Sequence, residues 1–73
     1  MKKCMLVHVD IRGSRRAQKS LEVKEGETAI GILRALSIRP DAVVCFINGN
    51  PVPVDQVLEP EQELTVLEAA SGG

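Results

Sequence analysis

The residues that could do chemistry stand at the end of the chain. Ser71-Gly72-Gly73 follows within a few positions of Glu63-Leu64-Thr65-Val66-Leu67, an apolar segment that reads as a strand. Two terminal glycines add nothing to a core and lose more freedom on ordering than any other residue. What they offer is a thin peptide without side chains, ending in a carboxylate that another protein's active site could receive. An α-carboxyl group has a pKa of about 3.5, so at neutral pH it is ionised and a poor electrophile. It reacts only after activation, and a side chain at Gly72 or Gly73 would crowd the reacting carbonyl. Ser71 and Gly72 are therefore read as the part of the tail that is recognised, and Gly73 as the part that reacts.

The rest of the chain holds little competing chemistry. His8 is the single histidine, and no serine or cysteine spacing in the sequence makes it catalytic. Cys4 and Cys45 lie in apolar runs without a Cys-x-x-Cys pattern. Both read as small hydrophobes of a reducing compartment, with a disulfide between them left open. Cys45 in such a run is a poor nucleophile, because apolar burial raises a thiol pKa. No metal-ligand cluster is visible.

Those terminal residues need a domain to present them. The chain has 73 residues, 44% of them apolar, with a net charge of −1. That fits one small globular domain, stable by about 4–11 kcal/mol, with little room for a deep cleft. Phe46 is the only aromatic residue, which excludes base stacking on aromatic platforms. The charge lacks the basic footprint of a nucleic-acid binder. No apolar run reaches membrane-spanning length and no signal-peptide pattern opens the chain. A soluble, cytoplasmic monomer is expected. Arg12, Arg15, Arg16 and Lys19 cluster, and read first as a solvated hairpin loop and second as a partner contact.

From Cys4 to Ile11 the residues alternate, with Met5, Val7, Val9 and Ile11 on one side and Cys4, Leu6, His8 and Asp10 on the other. Arg12-Gly13-Ser14 is turn-like, and Leu21 with Val23 marks a short returning strand. Thr28 is a good helix N-cap. Ala29, Ile32, Leu33 and Leu36 then follow at helical spacing. Gly31 weakens that helix by up to about 1 kcal/mol, and the residue before Pro40 is pushed out of the helical region. Ala42 to Ile47 reads as an internal strand, Asn48-Gly49 as a hairpin turn, and Pro51 to Val54 as a short edge segment. Asp55 to Glu59 reads as a helical turn, Glu59-Pro60-Glu61 as a bend, and Leu64, Val66 and Leu67 as the last strand.

Strand, strand, helix, strand, short strand, strand predicts an α+β fold, a mixed sheet of four to five strands with one main helix on one face. Residues 1–68 form the domain and 69–73 a flexible tail. The uncovered face is open to partners. Alternation places Leu6, Val44, Phe46 and Leu67 on it, with Cys45 inward; a one-residue shift of the pleat would exchange Phe46 and Cys45.

The order ββαββ, the helix Thr28-Ala29-x-x-Ile32-Leu33-x-x-Leu36, the segment Ile47-Asn48-Gly49-x-Pro51-Val52-Pro53 and the final Gly72-Gly73 together resemble the ubiquitin-like β-grasp sulfur carriers. That group includes the thiamine-pathway sulfur carrier, the molybdopterin synthase small subunit, the ubiquitin-related modifier and, above all here, the small archaeal modifier proteins. The likeness runs from Met5 to Gly73. It implies a protein co-substrate, not an enzyme, and no bound cofactor. An adenylating enzyme related to those that activate ubiquitin would use ATP on Gly73. A persulfide would then make a thiocarboxylate there, with sulfur donor and acceptor enzymes as partners, or a target lysine would make an isopeptide bond. The sulfur acceptor stays open among thiazole, molybdopterin and tRNA. Lys2, Lys3, Lys19 and Lys24 could accept a second modifier. The likeness also implies that Leu6, Val44, Phe46 and Leu67 dock the partner, with Phe46 at the patch centre. Two features depart from the pattern. Glu61-Gln62 stands where many members have Gly-Asp, and Glu68-Ala69-Ala70-Ser71 lacks the basic residues of ubiquitin's own tail, which argues against the ubiquitin-type enzyme itself. The competing readings are a modifier with no sulfur role, and a β-grasp interaction module that is never activated.

Overall fold

A computed structural model describes residues 3–13 and 16–68 of the chain. Cys4–Arg12 form strand β1, Ala17–Lys24 β2, Ala29–Ala35 helix α1, Val43–Ile47 β3, Asn50–Val52 β4 and Glu63–Glu68 β5. The strands make one five-stranded sheet in the order β2-β1-β5-β3-β4. β1 and β5 run parallel and the other neighbours antiparallel. This is the α+β, ubiquitin-like β-grasp arrangement. The last strand in sequence is the middle strand of the sheet.

Alternation in β1 appears as burial: Met5, Val7 and Val9 are buried, and Cys4, Leu6 and Arg12 exposed. From β3 and β5 the inward residues are Cys45, Ile47, Leu64 and Val66, and α1 contributes Ala29, Ile32 and Leu33. Burying one such aliphatic side chain contributes about 1.5–3 kcal/mol, so a handful of them hold the helix to the sheet. β2 runs longer than the segment around Leu21 and Val23 that its apolar residues mark. Its first half, Ala17-Gln18-Lys19-Ser20, pairs with β1 across Ile11 to His8 but lies at the sheet edge, where polar residues are tolerated. At the other hairpin Asn48 and Gly49 take φ of 54° and 80°, the left-handed pair that a two-residue turn needs.

The helix start explains a segment that the sequence misplaces. An α-helix leaves its first N–H groups without partners. Here Thr28 Oγ1 accepts from the Gly31 N–H at 3.4 Å. The Ala29 and Ile30 N–H groups donate to the carbonyls of Gln56 and Val54 at 3.0 and 2.7 Å. Glu27 accepts the Thr28 N–H at 3.1 Å through its carboxylate. The connection after β4 thus runs past the helix start instead of forming the helical turn expected over Asp55 to Glu59, and Val57 bridges to Thr28. Two of its carbonyls, those of Val54 and Gln56, serve α1, while that of Pro53 accepts from the Gln56 N–H within the segment. Leu58 is drawn into the core by the same path.

The helix ends at Leu36, before proline could stop it. Ser37 takes φ 60°, the Ile38 N–H reaches the Leu33 carbonyl at 2.8 Å and the Ser37 N–H reaches that of Arg34 at 3.1 Å. That is the left-handed cap usually built on glycine. Pro40 then opens a short 3-10 turn, Pro40–Ala42, so β3 starts at Val43, one residue later than the apolar run suggests.

Both cysteines are free. Cys45 is buried in the core, and burial pushes its thiol up. Cys4 is exposed at the start of β1, on the side where alternation places it with Leu6.

Candidate functional site

β5 ends at Glu68, and Gly73, Gly72 and Ser71 lie outside the described residues, as does the whole predicted tail, 69–73. What the structure provides is the root of that tail. β5 is hydrogen-bonded on both sides, to β1 and to β3, so the chain leaves from the firmest position in a sheet rather than from a loose edge.

Residues paired across strands share a side of the sheet, and the register therefore maps the outer face in rows. Nearest the tail root, Arg12, Leu67 and Val44 form one row. The next holds Gln18, Asp10, Thr65, Phe46 and Pro51. Beyond it come Ser20, His8 and Glu63, and then Glu22 with Leu6.

Val44 and Leu67 are 45% and 43% exposed, which is unusual for large aliphatic side chains and makes a small apolar patch. Phe46 stands beside them, half-buried, while Cys45 faces the core. A shallow cavity of about 370 Å³ lies here, lined by Arg12, Phe46, Gly49, Thr65 and Leu67. The turn glycine thus forms part of its wall.

The structure brings Val44, Phe46 and Leu67 together and leaves Leu6 apart. Leu6 is on the same face and 39% exposed, but Leu67 pairs with Arg12. Six residues of strand separate Leu6 from that row, about 20 Å at the strand rise. Alternation gave the side correctly, but it carries no information on distance along the strand. The patch expected from four residues is therefore a cluster of three, with Leu6 elsewhere.

Asp10 is the feature that the sequence does not single out. It belongs to the outer face, yet it is only 3% exposed. Arg12 Nε donates to its Oδ2 at 3.0 Å. Arg16 Nε stands 3.5 Å from Oδ1, close enough for an ion pair but without an aligned hydrogen bond. Burial alone would raise the Asp10 carboxyl. The hydrogen bond from Arg12 and the neighbouring Arg16 outweigh it, and the group is held below its ordinary value. The cluster of arginines read as a solvated loop therefore includes two that are tied to a buried carboxylate. A lone acid on an outward strand position, followed by arginines two and six residues on, is the only sequence signal for it.

His8 is partly exposed, and its Nδ1 lies 3.0 Å from Ser20 Oγ, a partner that the sequence does not indicate. Nε2 lies 3.7 Å from a Glu61 oxygen. His8 and Ser20 line a small open cavity of about 210 Å³ together with Gln18, Lys19 and Glu63, and these contacts join strand β2 to the bend before β5. Among the described residues no cluster of His, Cys, Asp or Glu could hold a metal ion. No helix among them is long and apolar enough to cross a membrane.

Comparison of the sequence with known proteins matches one family. The profile of small archaeal modifier protein 2 matches residues 5–69. An uncharacterized protein of Archaeoglobus fulgidus is 42% identical over 57 residues, which covers 77% of this chain and 84% of that protein.

Proposed function

This chain belongs to the small archaeal modifier protein 2 family, and we propose that it is a ubiquitin-like modifier and sulfur carrier that reacts through Gly73. The observation that carries the reading is the family match across nearly the whole domain, joined to a sequence that continues from the middle strand into Gly72-Gly73.

The Gly73 carboxylate would attack the α-phosphate of ATP in a separate adenylating enzyme, releasing pyrophosphate. The acyl-adenylate then has AMP as a leaving group. A persulfide sulfur attacks the carbonyl and expels AMP, giving an acyl disulfide. A second thiol cleaves that bond by exchange, leaving a thiocarboxylate on Gly73. Alternatively, a lysine amine of a target protein attacks the activated carbonyl, expels AMP and loses a proton, and so forms an isopeptide bond. The domain takes no part in the bond changes. It is a protein co-substrate whose outer face, around Val44, Phe46 and Leu67, meets the enzyme, while Ser71 and Gly72 enter its channel. ATP belongs to that enzyme.

Mass spectrometry of the protein from its native host tests the reading. Sulfur in place of one C-terminal oxygen supports the carrier, and Gly-Gly remnants on target lysines after suitable proteolysis support the modifier. Finding neither, in cells that hold an adenylating enzyme, leaves only an interaction module.

A further inference from the structure

The outer face is electrically divided along its length. At the end nearest the tail root, Arg12 stands beside Leu67, which pairs in turn with Val44, and Arg16 meets Asp10. Toward the other end Glu22, Glu61 and Glu63 gather around Leu6 and His8, with Lys24 beyond them opposite Cys4. Asp10 offsets one of the two arginine charges, so these three groups by themselves keep one positive charge in surplus, with the Glu68 carboxylate nearby against Gly13. Both contacts of Asp10 go to Nε. A guanidinium has five donors in a fixed fork, and among the described residues the terminal NH2 groups of the two arginines have no other acceptor. The two side chains are 53% and 63% exposed, so a further acceptor can approach from solvent.

We propose that Arg12 and Arg16, anchored by Asp10, are a carboxylate-binding clamp for an acidic segment of the adenylating enzyme. An apolar side chain beside that acid fills the cavity lined by Phe46, Thr65 and Leu67. The assignment rests on the reading of the chain as an adenylated co-substrate. Charge complementarity selects the occupant. A basic surface is repelled at this end, and a purely apolar one would strip water from two guanidinium groups without replacing it. A polyanion such as nucleic acid meets the acidic end of the same face. Position selects the role, because Leu67 immediately precedes Glu68, the last described residue before the tail. A partner holding the tail in its active site must lie against this end. The tail itself has no basic residue after Leu67, so the clamp supplies from the sheet the cationic contact that the tail does not.

The test is ATP–pyrophosphate exchange by the adenylating enzyme of the same organism, with the full chain as the varied substrate. Arg16→Glu should raise KM about fivefold and change kcat less than about twofold, since complementary charge acts chiefly on encounter. Wild-type KM should climb between about 50 and 300 mM salt as charges are screened, and the Arg16→Glu curve should be flatter. Arg16→Gln, which removes the charge without placing an acid beside Asp10, should fall between them. Unchanged KM and an unchanged salt response in folded Arg16→Glu, checked by circular dichroism, overturn the clamp alone. No exchange with the wild-type chain overturns the co-substrate reading beneath it, and the clamp with it.

Discussion

Arg12 Nε lies 3.0 Å from Asp10 Oδ2 on the side of the sheet turned away from the core, and the carboxylate it meets is buried. Because the folded pKa of Asp10 is depressed, its stabilising contribution is complete above the unfolded value, near 3.9. It is lost as pH falls through the folded value. Thermal unfolding of wild type and Asp10→Asn from pH 7 down to about pH 2 should show the variant melting lower at neutral pH. The gap should close below about pH 4. A gap that stays constant across the range would mean that the charge on Asp10 does not stabilise the fold.

Glu61 takes φ 64° in the bend that leads into β5. The left-handed region costs a residue with a Cβ about 1–2 kcal/mol, and glycine gives back about 0.4–1 through its freer unfolded chain. Glu61→Gly should therefore stabilise the domain by about 0.5–1 kcal/mol. The lost pairing with His8 at 3.7 Å is exposed and contributes little. A denaturant midpoint that falls in the variant would contradict this.

Leu64 and Leu67 are three residues apart on β5 and should behave oppositely. Leu64 is fully buried and Leu67 is 43% exposed. Leu64→Ala should cost about 2–5 kcal/mol, a large share of a small domain's total. Leu67→Ala should change stability by less than about 0.5 kcal/mol. Chemical denaturation of both variants checks the assignment of the two faces.

Phe46 and Leu6 share a face but not a site. In the exchange assay Phe46→Ala should raise KM about tenfold, the effect of losing about 1.4 kcal/mol of contact. Leu6→Ala should change it less than about twofold, as expected outside a contact. Equal effects from both would restore the larger patch that alternation suggests.

The sequence carried those parts of the fold that depend on neighbours in the chain. Asn48-Gly49 names its own turn, Thr28 its own cap, and the alternation from Cys4 to Ile11 its own two faces. The segment after β4 was not legible, because two of its carbonyls are used by the first N–H groups of α1, far away in sequence. Neither was the burial of Asp10. Alternation puts it outward, and its contacts with Arg12 and Arg16 come from the path of the hairpin, which alternation does not carry. Leu6 shows the same limit from the other side: a period of two fixes the face, while the pairing of β1 with β5 fixes the position along it.

In the proposed function the Gly73 carboxylate is the reacting group, carried on a domain that only presents it. The most direct measurement is ATP–pyrophosphate exchange by the adenylating enzyme with wild-type chain and with chain lacking Gly73, both shown to be folded. Exchange with the first and none with the second is the predicted result. Equal exchange with both would contradict it.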